Sequence, residues 1–371
     1  MNLGYSDEQR LLSESANNLL AARAQKKDAR DLWAEMAELG WLAMPLPESH
    51  DGLGQGAVDV AILTEAFGRH LASTDYAPRI VLCGGLVAAI GSDAQKAALL
   101  PALATGMAKP ALAHAEENAR HDRAHVATQA ARTAGGWRLS GDKIGVLGAA
   151  PDRFIVSARI AGSLRDRSGI GLFLVPADAR GLRVLSHATV DGGQASRIEL
   201  KDVELPADAL LGANENAFEA LDRAVDQAIA AWCAECVGLM EAATAATVDY
   251  TKIRIQFGKP LAVNQALRHR IADMSIQCEE GRSMALRAAL YADSADAGAR
   301  ARAISGAWAK IAKSARFVAE QAIQLHGGMG VTNELDIGMY LKRVVALEAI
   351  VGGADRHLRR HAALSAAARA A

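Results

Sequence analysis

RIQFGKPL, Arg254 to Leu261, closes a long run without proline, ENAFEALDRAVDQAIAAWCAECVGLMEAATAATVDYTKIR, and the reading of this junction decides the fold. A run of about forty residues is longer than an ordinary globular helix and typical of a bundle member. At its end Arg254 offers a planar fork of donors suited to a phosphate, Phe257 a flat apolar face, and Gly258 a place for the backbone to reverse. The alternative is a plain helix C-terminus whose arginine interacts with the helix dipole.

Downstream, helical patterns run from Val263 to Ala292, from Ala297 to Leu325 and from Leu335 to the tail, where the final ARAA is expected to fray. Between the last two lies QAIQLHGGMGVTNE, Gln321 to Glu334. Glycines there let a ligand approach the backbone, and exposed N–H groups can hold a phosphate, although Gly-Gly after a helix is also a stop signal. The pattern is not a G-x-G-x-x-G after a strand, so a Rossmann-type dinucleotide fold is not expected.

Upstream, WRLSGDKIGVLGAA, DRFIVSARI, GIGLFLVPAD and SRIELKDVELPA are short apolar and β-branched runs punctuated by Gly, Pro and Asp. That spacing predicts a small antiparallel barrel or sandwich. Before it the chain is helical. Ser6 is a candidate N-cap with acids in the following turn, ARDLWAEMAELG ends at Gly40, WLAMPLPESHDGLGQG reads as a loop, and Ser92 caps SDAQKAALLPALATG. The expected fold is mainly α with a central β domain: an N-terminal helical domain over 1–110, a β domain over 111–212 and a C-terminal four-helix bundle over 213–371.

Composition narrows the function. With 41 basic against 42 acidic side chains in 371 residues, no nucleic-acid partner is expected; 51% hydrophobic residues argue against disorder. Apolar stretches such as IVLCGGLVAAIG fall short of the roughly 20 residues a bilayer needs, so no membrane segment is expected. MNLGYSDEQR carries Asp7 and Glu8 where a targeting peptide would be basic and apolar, which predicts an unprocessed, cytoplasmic chain. Cys233 and Cys236 form a C-x-x-C inside a helical pattern with no second pair nearby; they read, with Cys83 and Cys278, as buried thiols.

The order of a helical third, a small β domain and a helical third bearing R-x-Q-F-G-K-P and Q-x-x-G-G-x-G resembles the acyl-CoA dehydrogenase family along almost the whole chain. GWLAMPLPESHDGLG, LTEAFGRHLA and YTKIRIQFGKPLAVNQALRHRIADM are similar to that family too. The resemblance implies an FAD enzyme that desaturates an acyl-CoA thioester between its α and β carbons and passes electrons to an electron-transfer flavoprotein. It also implies that Arg254, Gln256 and Phe257 hold the pyrophosphate and adenosine end of FAD, while Gln324, Gly327 and Gly328 approach it through the backbone. In this family the flavin lies at a dimer interface, so these residues can serve a partner's cofactor.

The chain departs from the family where proton removal is concerned. The α-proton needs a carboxylate, which the family places either in an E-G-T turn or on the long helix. Aligned on GGADRH, the first position is Gly352; counted 26 residues back from Arg254, with Gly238 and Tyr250 in register, the second is Ala228. In KIGVLGAA, Gly145 and Leu147 fall where the family has a tryptophan and a threonine against the flavin ring. Four other carboxylates lie near these positions, each with a structural alternative. Glu348 can pair with Lys342 or Arg343, Asp355 reads as an N-cap, Asp226 lies two residues before Ala228, and Glu235 stands ~10 Å beyond it along the axis. No catalytic residue is assigned. This pattern resembles the small subunits of heteromeric acyl-CoA dehydrogenases of the pimeloyl-CoA or steroid side-chain type, in which a larger paralogue supplies the base within a mixed tetramer. The alternatives are a self-sufficient homo-oligomer with a base such as Glu348, or a non-catalytic structural paralogue.

Overall fold

A computed structural model describes residues 4–26, 31–72, 74–119, 121–212 and 215–370. Ala371 of the ARAA tail, Arg30 of ARDLW and the first three residues of the N-terminal stretch lie outside them. The chain divides into two compact units: residues 30–56 with 74–228, and residues 1–29 and 57–73 with 229–371. The helices are α1 (Asp7–Lys26), α2 (Leu32–Glu38), α3 (Ala57–Arg69), α4 (Gly85–Ile90), α5 (Asp93–Ala104), α6 (Phe218–Ile253), α7 (Gln265–Ala292), α8 (Ala297–His326), α9 (Ile337–Val351) and α10 (Ala354–Ala370).

Local chemistry sets several of their ends. Ser6 and Gln9 exchange side-chain to backbone bonds, and Ser92 does the same with Gln95, so both expected caps are reciprocal capping boxes. Gly40 stops α2's continuation with φ +73, and the following WLAMPLPESH forms two short 3-10 turns, Trp41–Ala43 and Glu48–His50. The segment from Leu335 onward, expected as one helix, is two: the chain breaks between α9 and α10 at Gly352, whose φ of +98 no helix can continue.

In the first unit, β1 (Pro110–Ala113), β2 (Gln129–Thr133), β3 (Gly136–Leu147), β4 (Arg153–Arg159), β5 (Ile170–Pro176), β6 (Leu182–Ala188) and β7 (Gln194–Pro206) form one sheet. Its order is β1-β4-β2-β3-β7-β6, with β5 on β4. The pairing is not purely antiparallel, because β4 runs parallel to β1 and meets β2 in parallel. The β2–β3 hairpin separates β1 from β4 in sequence, and β4 returns beside β1 in the same direction. Trp137, Phe154, Phe173 and Ile198 fill the core, with the rings of Trp137 and Phe173 edge-on at 5.2 Å. The β3–β7 register slips between Lys143 and Val146, around Gly145 at φ +60.

In the second unit, α3 and α6 cross so closely that a Cβ on Gly68 would lie 1.9 Å from the Glu235 carbonyl oxygen, and one on Gly238 2.0 Å from that of Glu65. Around this crossing Arg69 and Arg282 share Glu65 and Glu241. Among the described residues one helix, α6, is long and apolar enough to cross a membrane, yet 83% of its most apolar window is buried inside the protein, as befits a core helix. All four cysteines are buried and free; burial pushes the Cys83 thiol up to about 12 and raises the other three.

Candidate functional site

Arg254 follows α6 and begins a minimal hairpin, Ile255–Gln256 against Lys259–Pro260. Phe257 and Gly258 form the two-residue turn with φ values of +52 and +78, the left-handed pair that a type I′ turn requires. Glycine takes this conformation freely, whereas phenylalanine is strained in it, and the phenylalanine here is 100% exposed. The Arg254 carbonyl accepts the Leu261 N–H at 2.9 Å, closing the hairpin's base. The guanidinium is exposed and makes no side-chain hydrogen bond or ion pair among the described residues. An exposed cation beside a strained, solvated aromatic gains nothing for the fold, and suits an anionic ligand with a flat ring.

The second segment ends α8. The Gly327 N–H caps the Gln324 carbonyl with φ +60, and a 3-10 turn continues from Gly327 to Val331. Gln324, Gly327 and Gly328 are exposed, and a Cβ placed on either glycine would meet no atom within 4 Å. Gly330 faces inward, where a Cβ would sit 2.7 Å from the Ile323 carbonyl oxygen. Gly330 is therefore needed for packing, while Gly327 and Gly328 leave their backbone open on one side.

Two residues outside the sequence-derived set join these segments. The Tyr250 ring stacks on His326 with centroids 4.2 Å apart, and its hydroxyl donates to the His326 carbonyl at 3.4 Å. Tyr250 also accepts the Arg254 N–H on its own carbonyl at 2.9 Å. In the sequence Tyr250 served only as a register mark, and nothing in the local pattern names its partner 76 positions away.

The carboxylates near the two expected base positions are all engaged. Asp226, fully buried, accepts from Arg123 at 2.8 Å; Glu235 accepts from Arg343 at 2.6 Å. Glu348 pairs with Arg316, a side chain from a different helix. Asp355 is not the N-cap of α10 but sits in its first turn, 3.2 Å from Lys313. Ala228 is fully buried.

The β3 segment is built around a buried pair. Lys143 Nζ donates to Glu116 at 2.7 Å and to Ser157 at 3.0 Å, and Glu116 also accepts N–H bonds from Ala127 and Thr128. Burial opposes ionisation of both groups. It brings Lys143 down to about 8 against the pull of Glu116, whereas the Lys143 ammonium and the N–H donors outweigh it at Glu116 and hold that carboxyl at about 2. Beyond β3, the Ala149 N–H donates to Asp75 at 3.0 Å while Arg79 donates both to Asp75 and to the Ala149 carbonyl. Arg79 lies in a π-helical turn, Ala77–Gly84, that aims its side chain inward.

A mostly helical protein with a central sheet, an open glycine turn and an exposed arginine with no side-chain partner among the described residues is the class these observations define. Acyl-CoA dehydrogenase family models match residues 6–107 (N-terminal domain), 111–203 (middle domain) and 215–366 (C-terminal domain). The chain belongs to the acyl-CoA dehydrogenase family, FAD-dependent oxidoreductases acting on CH-CH groups. It is 29% identical over 365 residues to the probable acyl-CoA dehydrogenase YngJ of Bacillus subtilis, covering 94% of this chain and 95% of that protein. Among solved structures, the Tcur3481-Tcur3483 steroid ACAD G363A variant is similar over 100% of both chains at 30% identity and a TM-score of 0.87. The FAD complex of PigA is similar over 98% of both chains at 26% identity and a TM-score of 0.87.

Proposed function

We propose that this chain is the cofactor-clamping subunit of an FAD-dependent acyl-CoA dehydrogenase whose proton-abstracting carboxylate comes from a larger paralogous partner. The observation that carries the reading is the contrast between two sets of residues. Arg254, Gln256, Phe257, Gln324, Gly327 and Gly328 are exposed, and Phe257 holds a positive φ that costs the fold something to keep. The expected base positions hold a fully buried alanine and a glycine at φ +98, and every nearby carboxylate is taken by an arginine or lysine.

The residues present fit the phosphate and adenosine end of FAD. An unpaired guanidinium can take the pyrophosphate bidentately, and an open Gly-Gly turn lets backbone N–H groups reach it. FAD, when bound, supplies the acceptor for the substrate's β-hydride. The chain's part is to hold that cofactor and to leave the α-proton to a carboxylate on the partner, with the electrons passing to an electron-transfer flavoprotein in the cytoplasm. The resemblance to a steroid ACAD named as a pair, Tcur3481-Tcur3483, supports a mixed assembly. Asp75, Arg79 and the Lys143–Glu116 pair steady the end of β3, where Gly145 and Leu147 replace the family's ring-side residues.

A second reading, a homomeric enzyme using Glu348, is disfavoured by the Arg316 that binds it. Purification decides between them. The expected result is little or no flavin in the isolated chain, and a yellow complex bleached by acyl-CoA when a larger paralogue is co-expressed. Flavin-loaded, acyl-CoA-reducible protein from the chain alone would overturn the partner requirement.

A further inference from the structure

The Tyr250–His326 pair has a feature that the clamp as described does not use. His326 Nδ1 lies 2.8 Å from the Ala322 carbonyl oxygen. A carbonyl only accepts, so Nδ1 carries the proton. Burial lowers the imidazole's pKa against the help of that carbonyl, and the ring is neutral at physiological pH. Its remaining nitrogen, Nε2, is therefore a lone-pair acceptor. No donor reaches it among the described residues, and although the residue is buried, with 4% of its surface exposed, Nε2 is not among the sealed, unpartnered atoms of the interior and so keeps some contact with solvent. Tyr250 covers one face of the ring, and the open turn at Gly327 and Gly328 begins one residue on.

Resting on the cofactor reading above, we propose that His326 is a further nucleotide-binding residue. Its Nε2 accepts a hydrogen bond from an O–H or N–H donor on the AMP half of FAD, with Tyr250 as the positioning residue that fixes the imidazole plane. Stacking removes the ring's rotational freedom, and the Tyr250 hydroxyl on the His326 carbonyl sets the main chain that leads into Gly327. The same tyrosine accepts the Arg254 N–H, so the arginine that takes phosphate and the imidazole that takes the nucleoside are held by one side chain's residue. The donor on the ligand is either a ribose hydroxyl or the adenine amine, both of which suit a neutral imidazole acceptor.

The test uses the flavin-binding form of the protein, alone or in complex, stripped of FAD and titrated with FAD, ADP and inosine diphosphate. His326→Phe keeps a flat ring for Tyr250 but has no acceptor, and His326→Gln restores one. The expected result is about tenfold weaker binding of FAD and ADP in His326→Phe, one hydrogen bond's worth, with partial recovery in His326→Gln. Tyr250→Leu should weaken both ligands, and Tyr250→Phe should do so less. A wild-type preference for ADP over inosine diphosphate that vanishes in His326→Phe assigns the adenine amine; equal weakening of both assigns the ribose. Unchanged ADP affinity in His326→Phe would overturn the proposal, as would losses that follow the apoprotein's melting temperature with His326→Gln no better than His326→Phe. If the wild-type protein binds no FAD in either form, the cofactor reading itself fails, and this assignment with it.

Discussion

Trp308 donates its indole N–H to the Gly352 carbonyl at 2.7 Å, deep in the helical unit. His357 donates from Nε2 to the preceding carbonyl, Val351, at 3.1 Å, and its ring meets Trp308 edge-on. The turn at which the family can carry its base is thus pinned from both sides in a conformation, φ +98 and ψ +146, that favours glycine. Gly352→Glu should not create an active isolated chain, and should cost about 1–3 kcal/mol from backbone strain. Urea unfolding together with acyl-CoA turnover checks both; full activity at an unchanged midpoint would sink the argument.

The buried Glu116–Lys143 pair predicts acid lability. Glu116's folded pKa, about 2, lies below its ordinary value of 4.5, so its stabilisation is complete above pH 4.5 and is lost as pH falls toward 2. Lys143 has the same sign in a higher window: lowered from 10.5 to about 8, it makes folding more favourable as pH rises between those values. Glu116→Gln leaves Lys143 buried without its counter-ion and should cost ~3–5 kcal/mol. It should also flatten the acid limb of a stability–pH curve, and an unaltered limb would assign the acid transition to other carboxylates.

Close packing at α3 and α6 gives a mutation with no charge involved. Gly238→Ala would bring a Cβ to 2.0 Å from the Glu65 carbonyl oxygen, and backbone cannot move aside as a side-chain tip can. The expected loss is at least ~1–3 kcal/mol, read from the melting temperature. Gly327→Ala meets no atom within 4 Å, and its cost should come only from its φ of +60.

At the hairpin, stability and function should separate. Phe257→Gly relieves a positive φ and exposes less apolar surface, so the protein should be as stable or slightly more so, by up to ~1 kcal/mol. Arg254→Ala should leave the melting temperature almost untouched, since its side chain bonds nothing among the described residues. Both should lose flavin from the complex. Flavin retained at wild-type stoichiometry in Arg254→Ala would displace the phosphate clamp from this residue.

Glu348→Gln probes the homomeric alternative. Its ion pair with Arg316, whose side chain is 43% exposed, is screened, and the stability change should stay within about 1 kcal/mol. Turnover of the assembled enzyme should remain near wild type if, as proposed, the base comes from the partner. A hundredfold fall in kcat with a normal melting temperature would restore it to that role.

Much of the architecture was legible in sequence for local reasons. Ser6 and Ser92 announced helix starts because a cap bonds within four residues, and the long period of α6 showed itself without any knowledge of neighbours. Arg254 and the Gly327–Gly328 step were recognisable as residue types that suit phosphate. The break at Gly352 was less legible, since a Gly-Gly step can bend, cap or end a helix. Arg316 as a partner of Glu348 was hidden for a related reason: Lys342 and Arg343 are close in sequence, whereas Arg316 lies on another helix and only packing brings it there.

By itself, then, the sequence determined the helical and strand-rich stretches, the caps, and the two exposed motifs at the ends of α6 and α8. All of these rest on interactions spanning a few residues. Tertiary structure alone decided which partners the nearby carboxylates take, that Gly145 and Gly352 stand at positive φ, which disfavours any side chain there, and that Tyr250 lies against His326. Ion-pair choice, the sign of φ at a turn and the stacking of two rings depend on what distant segments press into place, and no local pattern encodes that.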